Sequence, residues 1–261
     1  MYEPINQEYD NKLTTLLEGI WGEGFLSPGG VDEVNRYLET IDLVGKTVLD
    51  IGCGLGGVDI HLVKQLGAAS VTGIDIEEHL IERCQELAKR HNLSNRLNFQ
   101  CVEPGPFPFE NNCFDIVTSK DSIIHIEDKA SMARDIFRII KPGGWFAASD
   151  WLAGYESEPS PEMEDYLAAE GLDFGLASAT IYKEALVSAG FINVEIIDRN
   201  HWYKKLARLE HQRLSNDLYK IISNTTGRAF VDHEIEVWEK MIIALDQGQL
   251  RPGHLRGQRP D

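Results

Sequence analysis

Asp121 and His125 are the two residues of this chain best placed for acid–base chemistry. They follow the apolar run FDIVTSK and therefore lie just after a predicted strand. If the turn that carries them is helical, a spacing of four positions puts both side chains on one face. Histidine titrates near neutral pH and can accept a proton from a reacting group. The pair predicts an acid–base site at the carboxyl edge of a sheet.

A second set of residues predicts a nucleoside-binding loop. In the segment TVLDIGCGLGG, residues 47–57, an apolar strand pattern breaks into glycines. Gly52 and Gly54 would let the backbone approach a ligand, because a side chain would occupy that space. The next apolar run, VTGID, ends at Asp75, 25 residues after Asp50. This order of strand, glycine loop and downstream acid is typical of an α/β sheet that binds an adenosine-containing cofactor.

Asp50 distinguishes between two such cofactors. Gly52, Gly54 and Gly57 also fit the GxGxxG pattern of dinucleotide sites, which hold a pyrophosphate at this turn. An aspartate directed at a pyrophosphate would be unfavourable, whereas it suits the cationic amino group of a methionine moiety. With an acid after the third strand and the segment IIKPGGWFAASD, the chain resembles the class I S-adenosylmethionine methyltransferases.

Strands and helices alternate in the part of the chain that must position these residues. The predicted strands are TVLDIG, SVTGIDI, RLNFQCV, FDIVTSKD and GWFAASD, with helices at 57–66, 78–91 and 129–140. This pattern predicts an α/β fold with a doubly wound, Rossmann-like parallel sheet. We divide the chain into an N-terminal helical lid (1–40), a cofactor-binding core (41–150) and a mostly helical cap with strands returning to the sheet (151–261).

Composition restricts the partners. With 25 Lys and Arg against 42 Asp and Glu, the formal net charge is −17, which disfavours nucleic acid and anionic membrane surfaces. The four cysteines show no CxxC spacing, so we expect reduced thiols and no metal site. The start MYEPINQEYD does not read as a signal peptide, and no apolar run reaches the ~20 residues of a membrane span. We expect a cytoplasmic protein, monomeric or homodimeric.

The methyltransferase resemblance implies roles for the residues around the loop. Asp50 would receive the methionine amino group of S-adenosylmethionine, and Asp75 would accept both ribose hydroxyls. Ile76 would lie on the adenine face, and Glu103 would accept from the adenine N6 amine. Most relatives carry Asp at the position of Glu103, and the alternative for this residue is a solvated loop carboxylate.

A more specific resemblance is to small-amine N-methyltransferases, the family of the phosphoethanolamine and the sarcosine/dimethylglycine enzymes. It rests on EGIWGEGFLSPGG, SKDSIIHI, KPGGWFAASDW, YKEALVSAGF and WEKMIIALDQGQLRPG. It implies that Tyr9 pairs with His125 and that Asp121 lies near the acceptor amine. It also implies that the cofactor is surrounded by Ser27, Ser119 and Lys120. A structural histidine at 125 and a helix anchor at Tyr9 remain the alternatives.

Methyl transfer to nitrogen requires a lone pair, so the site must bind a neutral amine or deprotonate an ammonium. His125 is the group best suited to that step, Asp121 would attract and orient the ammonium, and Tyr9 would order His125 or close a lid. Aromatic faces suit a methylated cation. The candidates, each of which could instead be core packing, are Trp21, Trp151, Phe174, Trp202 and Trp238.

The cap determines the expected acceptor. Where phosphate-specific relatives place a basic-aromatic cluster, this chain has residues 171–174, GLDF, which disfavours phosphoethanolamine. We therefore expect glycine, sarcosine or dimethylglycine as acceptor, leading toward betaine, with phosphoethanolamine as the alternative. A carboxylate partner would come from the run 199–213, which is otherwise a solvated helix face. Methylation of oxygen, sulfur or carbon, or cofactor binding without catalysis, also remain open.

Overall fold

The computed structural model describes residues 8–261, and its central feature is a seven-stranded sheet. The strands are β1 (Thr47–Ile51), β2 (Ser70–Asp75), β3 (Leu97–Cys101), β4 (Phe114–Lys120), β5 (Ile140–Ala153), β6 (Ile192–Asp198) and β7 (Leu250–Gln258). The helices are α1 (Asn11–Trp21), α2 (Gly30–Tyr37), α3 (Gly57–Lys64), α4 (Glu78–Arg90), α5 (Lys129–Ile139), α6 (Pro161–Glu170), α7 (Ala179–Ala189), α8 (Asn200–Ser215), α9 (Tyr219–Thr226) and α10 (Arg228–Asp246).

The strand order is β3-β2-β1-β4-β5-β7-β6, and the first five strands are parallel. The α/β Rossmann-like fold expected from the sequence is therefore confirmed. The parallel sheet predicted from the first five strands is present, and β7, which the sequence pattern does not reveal, is antiparallel to both β5 and β6. In the sequence of β7, LRPGHLRGQ, the residues Pro252, Gly253 and Gly257 interrupt the apolar alternation that marks a strand.

Alternating residues of the central strands supply two cores, one on each face of the sheet. Val48 and Ile116 pack with residues of α2 and α3 on one face. Leu49 and Val117, the next residues along the same strands, pack with α5 and α7 on the other. This period of two, with both faces covered by helices, is what a buried parallel sheet requires.

A third core joins the two ends of the chain. Leu16 and Ile20 of α1 pack with Met163 of α6, Tyr203 of α8 and Met241 of α10. Helix α1 and the helices α6, α8 and α10, which lie between β5 and β7 in the chain, thus form one layer. This layer carries side chains that face the site. The division at 40 and 150 stays a prediction, and the first seven residues of the predicted lid lie outside the described residues.

Local signals set the ends of the helices in this layer. Asp10 caps α1 by accepting from the amides of Lys12 and Leu13 at 2.8 and 2.9 Å. Ser160 caps α6, and Gly171 ends it with a φ of 71°. Across residues 8–261, no helix combines the length and apolar character needed to cross a membrane.

Candidate active site

The loop after β1 has the geometry that only glycine permits. Gly52 has a φ of 71°, and a Cβ there would lie 1.6 Å from the Ser122 Oγ. Its amide donates to the Ile74 carbonyl of β2 at 2.8 Å. Gly54 has a φ of 53°, and its amide donates to the Asp75 carboxylate at 2.9 Å. The loop is thereby tied to the end of β2, and the missing side chains let Ser122 and Leu26 pack against its backbone.

Asp50 carries the strongest indication of a bound cation in this loop. It is buried at the end of β1, and neither carboxylate oxygen has a hydrogen-bond partner within residues 8–261. Burial and the neighbouring Asp59 raise its pKa well above the usual range. A buried acceptor without a donor calls for a ligand group, and the methionine ammonium of S-adenosylmethionine fits it.

Asp59 belongs to the same site and was not anticipated from the sequence. It lies in the first turn of α3, is fully buried, and also lacks a hydrogen-bond partner among the described residues. Burial raises the pKa of Asp59 to about 7. The available signal was an acid three positions into a helix that follows paired glycines.

Asp75, Ile76 and Glu103 lie along the ends of β2 and β3. Asp75 accepts from the amides of Gly54 and Glu77, and the side chain of Ile76 is 56% exposed, which gives an adenine ring an apolar surface. Burial raises the pKa of the Asp75 carboxyl. Glu103 is exposed two residues after β3, beside Val102, whose amide donates to the Asp75 carbonyl at 2.9 Å. Their predicted cofactor roles fit these positions and stay predictions.

Ser27, Ser119 and Lys120 form a support behind this edge. The buried Lys120 ammonium donates to the Ser27 hydroxyl at 2.9 Å and to the Pro28 carbonyl at 2.7 Å, and pairs with Asp121 at 2.8 Å. The Ser119 hydroxyl donates to the Ile51 carbonyl at 2.8 Å. Both side chains therefore fasten β4 to its neighbours, and their contribution to cofactor binding stays a prediction.

The structure brings Tyr9 and His125 together, 116 positions apart in the chain. The Tyr9 hydroxyl lies 3.4 Å from His125 Nε2, and His125 Nδ1 lies 2.9 Å from the Asp173 carbonyl. Since a carbonyl only accepts, Nδ1 carries the proton in the neutral ring and Nε2 presents its lone pair to Tyr9. Burial and the Glu170 carboxylate raise the pKa of Tyr9, so its hydroxyl stays protonated at neutral pH.

The segment that follows β2 holds Tyr9 in place. The Tyr9 amide donates to the Glu77 carboxylate at 3.2 Å, and the Tyr9 carbonyl lies 2.9 Å from His79 Nε2. Glu77 directly follows the Asp75–Ile76 pair at the end of β2. The segment with Tyr9 is thus bound to the loop that is predicted to hold the adenosine. These contacts link the position of Tyr9 to that of the predicted adenosine site.

Lys129 and Asp150 support the turn that carries His125 and were also not anticipated. The Lys129 ammonium donates to the carbonyl of Ile123 at 2.8 Å, and Asp150 accepts from the Ile124 amide at 3.1 Å. Burial lowers the pKa of Lys129 to about 8 and raises that of Asp150 to about 7. Both residues bond main-chain groups of the turn and contact Tyr182, and neither lines the cavity, so they act as positioning residues.

A cavity of about 60 Å³ opens beside Tyr9, Ser27 and Asp121. Of the aromatic candidates, those that line it are Trp21, Trp151, Phe174 and Trp238. Trp202 lies instead under Gly29 and against Arg199, 4.5 Å from the ring centre to the guanidinium carbon. Glu170 and Glu234, which the sequence did not single out, also line the cavity.

Within the described structure, the run 199–213 contributes Tyr203 to the lining of this cavity and none of its basic side chains. Arg199 forms a two-pronged ion pair with the buried Glu33, both distances 2.8 Å. Arg208 pairs with Asp246, and Arg213 donates to the Ile20 carbonyl at 3.0 Å. These cations join helices, so the expectation that they bind an acceptor carboxylate has no support from their positions.

Known proteins share both the sequence and the fold. A family model described as a methyltransferase domain matches residues 42–187. Phosphoethanolamine N-methyltransferase 1 of Arabidopsis thaliana is 31% identical over 228 residues, which are 87% of this chain and 45% of that protein. The chain thus spans about half the length of the plant relatives it matches.

Two solved structures have the same fold. Phosphoethanolamine N-methyltransferase 2 of Haemonchus contortus, in complex with phosphomonomethylethanolamine and S-adenosylhomocysteine, has a TM-score of 0.87 at 22% identity, over 98% of this chain and 60% of that one. A putative sarcosine dimethylglycine methyltransferase of Galdieria sulphuraria has a TM-score of 0.78 at 19% identity, over 97% of this chain and 99% of that one. With the family match over residues 42–187 and the loop geometry of Gly52 to Asp75, the chain belongs to the class I S-adenosylmethionine-dependent methyltransferases.

Proposed function

We propose that this chain transfers a methyl group from S-adenosylmethionine to the nitrogen of a small amine. The observation that carries the proposal is the Tyr9–His125 pair: Tyr9, whose hydroxyl lies 3.4 Å from His125 Nε2, lines a cavity together with Asp121. The aromatic walls of the cavity suit an amine that gains methyl groups and keeps a positive charge.

The cofactor supplies an electrophilic methyl group, and the loop residues would hold it. Asp50 offers a buried carboxylate to the methionine ammonium, because it has no other donor within the described residues. The amides bound to Asp75 fix its carboxylate toward the ribose, and the exposed Ile76 offers a face to the adenine. Gly52 and Gly54 supply the left-handed backbone turns of the loop, and Ser122 and Leu26 pack at their Cβ positions.

His125 would receive the proton that the acceptor loses. Its Nε2 lone pair faces the Tyr9 hydroxyl, which can pass its own proton to Nε2 while it accepts one from the ammonium. The raised pKa of Tyr9 favours this exchange over a stable tyrosinate. Asp121, fixed by Lys120 on one oxygen, keeps its other oxygen for the amine.

The relatives favour an aminoethanol backbone for the acceptor. The matched plant proteins are phosphoethanolamine methyltransferases, whereas the sarcosine/dimethylglycine enzyme is a fold neighbour at 19% identity. The expected route from glycine toward betaine therefore has less support than its alternative, the phosphoethanolamine type. We propose an ethanolamine-type amine as the acceptor.

The test is release of S-adenosylhomocysteine over a panel of acceptors. The panel comprises ethanolamine, phosphoethanolamine, their N-methylated forms, glycine, sarcosine and dimethylglycine. We expect turnover with the ethanolamine series and NMR of the product to show N-methyl groups. A protein that binds S-adenosylmethionine but methylates none of these amines, or that places the methyl on oxygen, sulfur or carbon, would contradict the proposal.

A further inference from the structure

The acceptor cavity is acidic. Among the described residues that line it, the charged side chains are Asp121, Glu170 and Glu234, and none is Lys, Arg or His. Residues 1–7, MYEPINQ, contain no Lys, Arg or His side chain that could add one. The cavity that faces Tyr9 therefore offers no cationic side chain among the described residues to neutralise a phosphate or a carboxylate.

The two cations nearest to this cavity are already paired. Lys120 is bound to Asp121 at 2.8 Å and to two oxygens of the Ser27–Pro28 turn. Arg199 has both of its donors on the Glu33 carboxylate at 2.8 Å. Moving either cation toward an anionic acceptor would leave a buried carboxylate without its partner.

Glu170 and Glu234 come from two helices that pack together, α6 and α10. Glu170 is the last residue of α6, where the partial negative charge of the helix end opposes a carboxylate. Burial raises the pKa of Glu170 to about 7, and burial together with Glu170 and Asp10 raises that of Glu234 to about 8. No cationic side chain of residues 8–261 lies close enough to lower either pKa. A cationic ligand would relieve this repulsion.

Other groups of the cavity complete a site for a small cation with a hydroxyl group. Trp21, Trp151 and Phe174 present aromatic surfaces, which attract an alkylammonium. Trp238 also lines the cavity, and its indole N–H is directed at the buried Glu210 carboxylate, whose pKa it lowers against the effect of burial. The hydroxyl of an amino alcohol could donate its proton to a carboxylate of the cavity.

We infer that Glu170 and Glu234 are specificity residues that select a cationic amino alcohol without an anionic group, of which ethanolamine and its N-methylated derivatives are examples. The inference rests on the proposed N-methyltransferase function and names its substrate class. The inference distinguishes this chain from its relatives by the group that the acceptor carries at the end opposite its amine. The relatives are named for a phosphorylated amine, whereas in this chain the side chains of Glu170 and Glu234 face the cavity.

The first experiment compares kcat/KM for ethanolamine and N,N-dimethylethanolamine with that for phosphoethanolamine and sarcosine, by S-adenosylhomocysteine release. We expect the uncharged-tail amines to be preferred at least tenfold. Preference for phosphoethanolamine would overturn the inference and leave the proposed function intact. Preference for sarcosine would overturn the inference and the ethanolamine-type acceptor, and leave only the transfer of methyl to a small amine. Turnover of no amine would instead contradict the proposed function. In that case the inference is tested by measuring the Kd of the same four amines for the protein–S-adenosylhomocysteine complex. If the amino alcohols do not bind more tightly than the other two amines, the inference is overturned.

The second experiment uses Glu170→Gln and Glu234→Gln. Each is expected to raise KM for the preferred amine about tenfold, with little change in kcat and in the Kd of S-adenosylhomocysteine. Glu164→Gln on α6 and Glu236→Gln on α10 are the controls, because both carboxylates are exposed. Glu170→Lys should shift the preference toward phosphoethanolamine. An unchanged KM in both glutamine variants would show that the two carboxylates do not select the acceptor.

Discussion

At the scale of single residues, the orientation of His125 matters more than its presence near a carboxylate. The bond from Nδ1 to the Asp173 carbonyl leaves Nε2 as the acceptor that faces Tyr9. The Asp121 side chain, four positions away, is bound by Lys120 and does not bond His125 in the described structure. The two residues thus serve different tasks, with the imidazole for the proton and the carboxylate for the ammonium.

His125→Ala is expected to lower kcat by about 10² to 10⁴, the usual contribution of a positioned general base. Binding of S-adenosylhomocysteine, measured by calorimetry, should be unchanged, because His125 contacts Tyr9 and Asp173 and not the glycine loop. His201→Ala, on the exposed face of α8, is the matched control and should keep full activity. A histidine variant with undiminished kcat on its preferred amine would exclude the proposed proton transfer.

Asp50 and Asp59 make the pH dependence of stability predictable. The pKa of Asp59 is raised from 3.8 to about 7, so the folded state holds a proton that the unfolded chain releases. Its stabilising effect is complete below pH 3.8 and is lost as the pH rises through about 7. The cofactor-free protein should therefore lose stability between about pH 4 and pH 7, with no further loss from Asp59 at higher pH.

Asp59→Asn is expected to remove this dependence, because an amide carries no charge and can donate to Asp50. Its free energy of unfolding at pH 8 should exceed that of the unmodified protein by at most about 4 kcal/mol, from about three pKa units. At pH 4, near the value of 3.8 at which the carboxyl of the unfolded chain titrates, the difference should be small. Urea unfolding at both pH values measures it, with the exposed Asp217→Asn as control. A gain of equal size at both values would rule out titration of this carboxyl as the cause.

At the scale of elements, the conformation of the β1–α3 loop depends on its contacts with β2 and with the turn after β4. The loop amide of Gly52 bonds to β2, and Ser122 of the β4–α5 connection occupies the space where a Cβ would lie. The turn that carries His125 is therefore packed directly on the loop predicted to bind the cofactor. This contact fixes the donor and acceptor halves of the site relative to each other.

Gly52→Ala separates this close approach from simple backbone strain. Gly45 has almost the same φ, 72° against 71°, but nothing lies within 4 Å of its Cβ position. Gly45→Ala should cost about 1–2 kcal/mol of stability, as expected for the left-handed conformation. Gly52→Ala should cost roughly 1–3 kcal/mol more and weaken cofactor binding. Thermal unfolding and calorimetry measure the two effects.

A second change provides the check on that interpretation. Adding Ser122→Gly to Gly52→Ala removes the overlapping side chain and should recover most of the extra loss. If the double variant were no more stable than Gly52→Ala alone, the clash would not be the source of the cost. The same comparison should show no recovery when Ser122→Gly is combined with Gly45→Ala.

At the scale of the whole molecule, a buried ion cluster joins elements from distant parts of the chain. Glu33 of α2 is bound by Arg199, which directly precedes α8, and by His254 of β7 at 2.6 Å. Burial alone would raise the pKa of Glu33, but the bonds from His254 and Arg199 lower it to about 2. The cluster lies beside Asp121, Trp151 and Tyr203, so it supports the wall between the cap and the sheet.

Arg199→Leu should cost about 3–5 kcal/mol of stability near pH 7, since it leaves a buried carboxylate with one partner. The loss should shrink toward pH 4, where Glu33 can take up a proton. Urea unfolding at the two pH values tests both parts, and the exposed Lys205→Leu is the control. Equal losses at pH 4 and pH 7 would point to lost packing on Trp202 as the cause.

The sequence by itself was enough to predict the edge of the sheet at which the methyl donor is expected to bind. Strand and helix periods, the glycines and the acids at strand ends are local patterns, and local backbone preferences suffice to place Asp50, Gly52 and Asp75 at one edge. The Tyr9–His125 pair could be anticipated only through the family resemblance, because nothing local links positions 116 residues apart. Pro252 and Gly253 hid β7 for a similar reason, since partners across the sheet and not local preference hold that strand in place.

Only the tertiary structure decided what surrounds the acceptor. Glu170 and Glu234 are 64 positions apart on helices whose own patterns give no sign that they share a cavity. Arg199, which looked available for an anionic substrate, is neutralised by Glu33 from the other end of the chain. The charge of a cavity depends on which charged side chains packing brings to its lining and on which other charged side chains are neutralised in ion pairs elsewhere. Neither can be read from a local stretch of sequence.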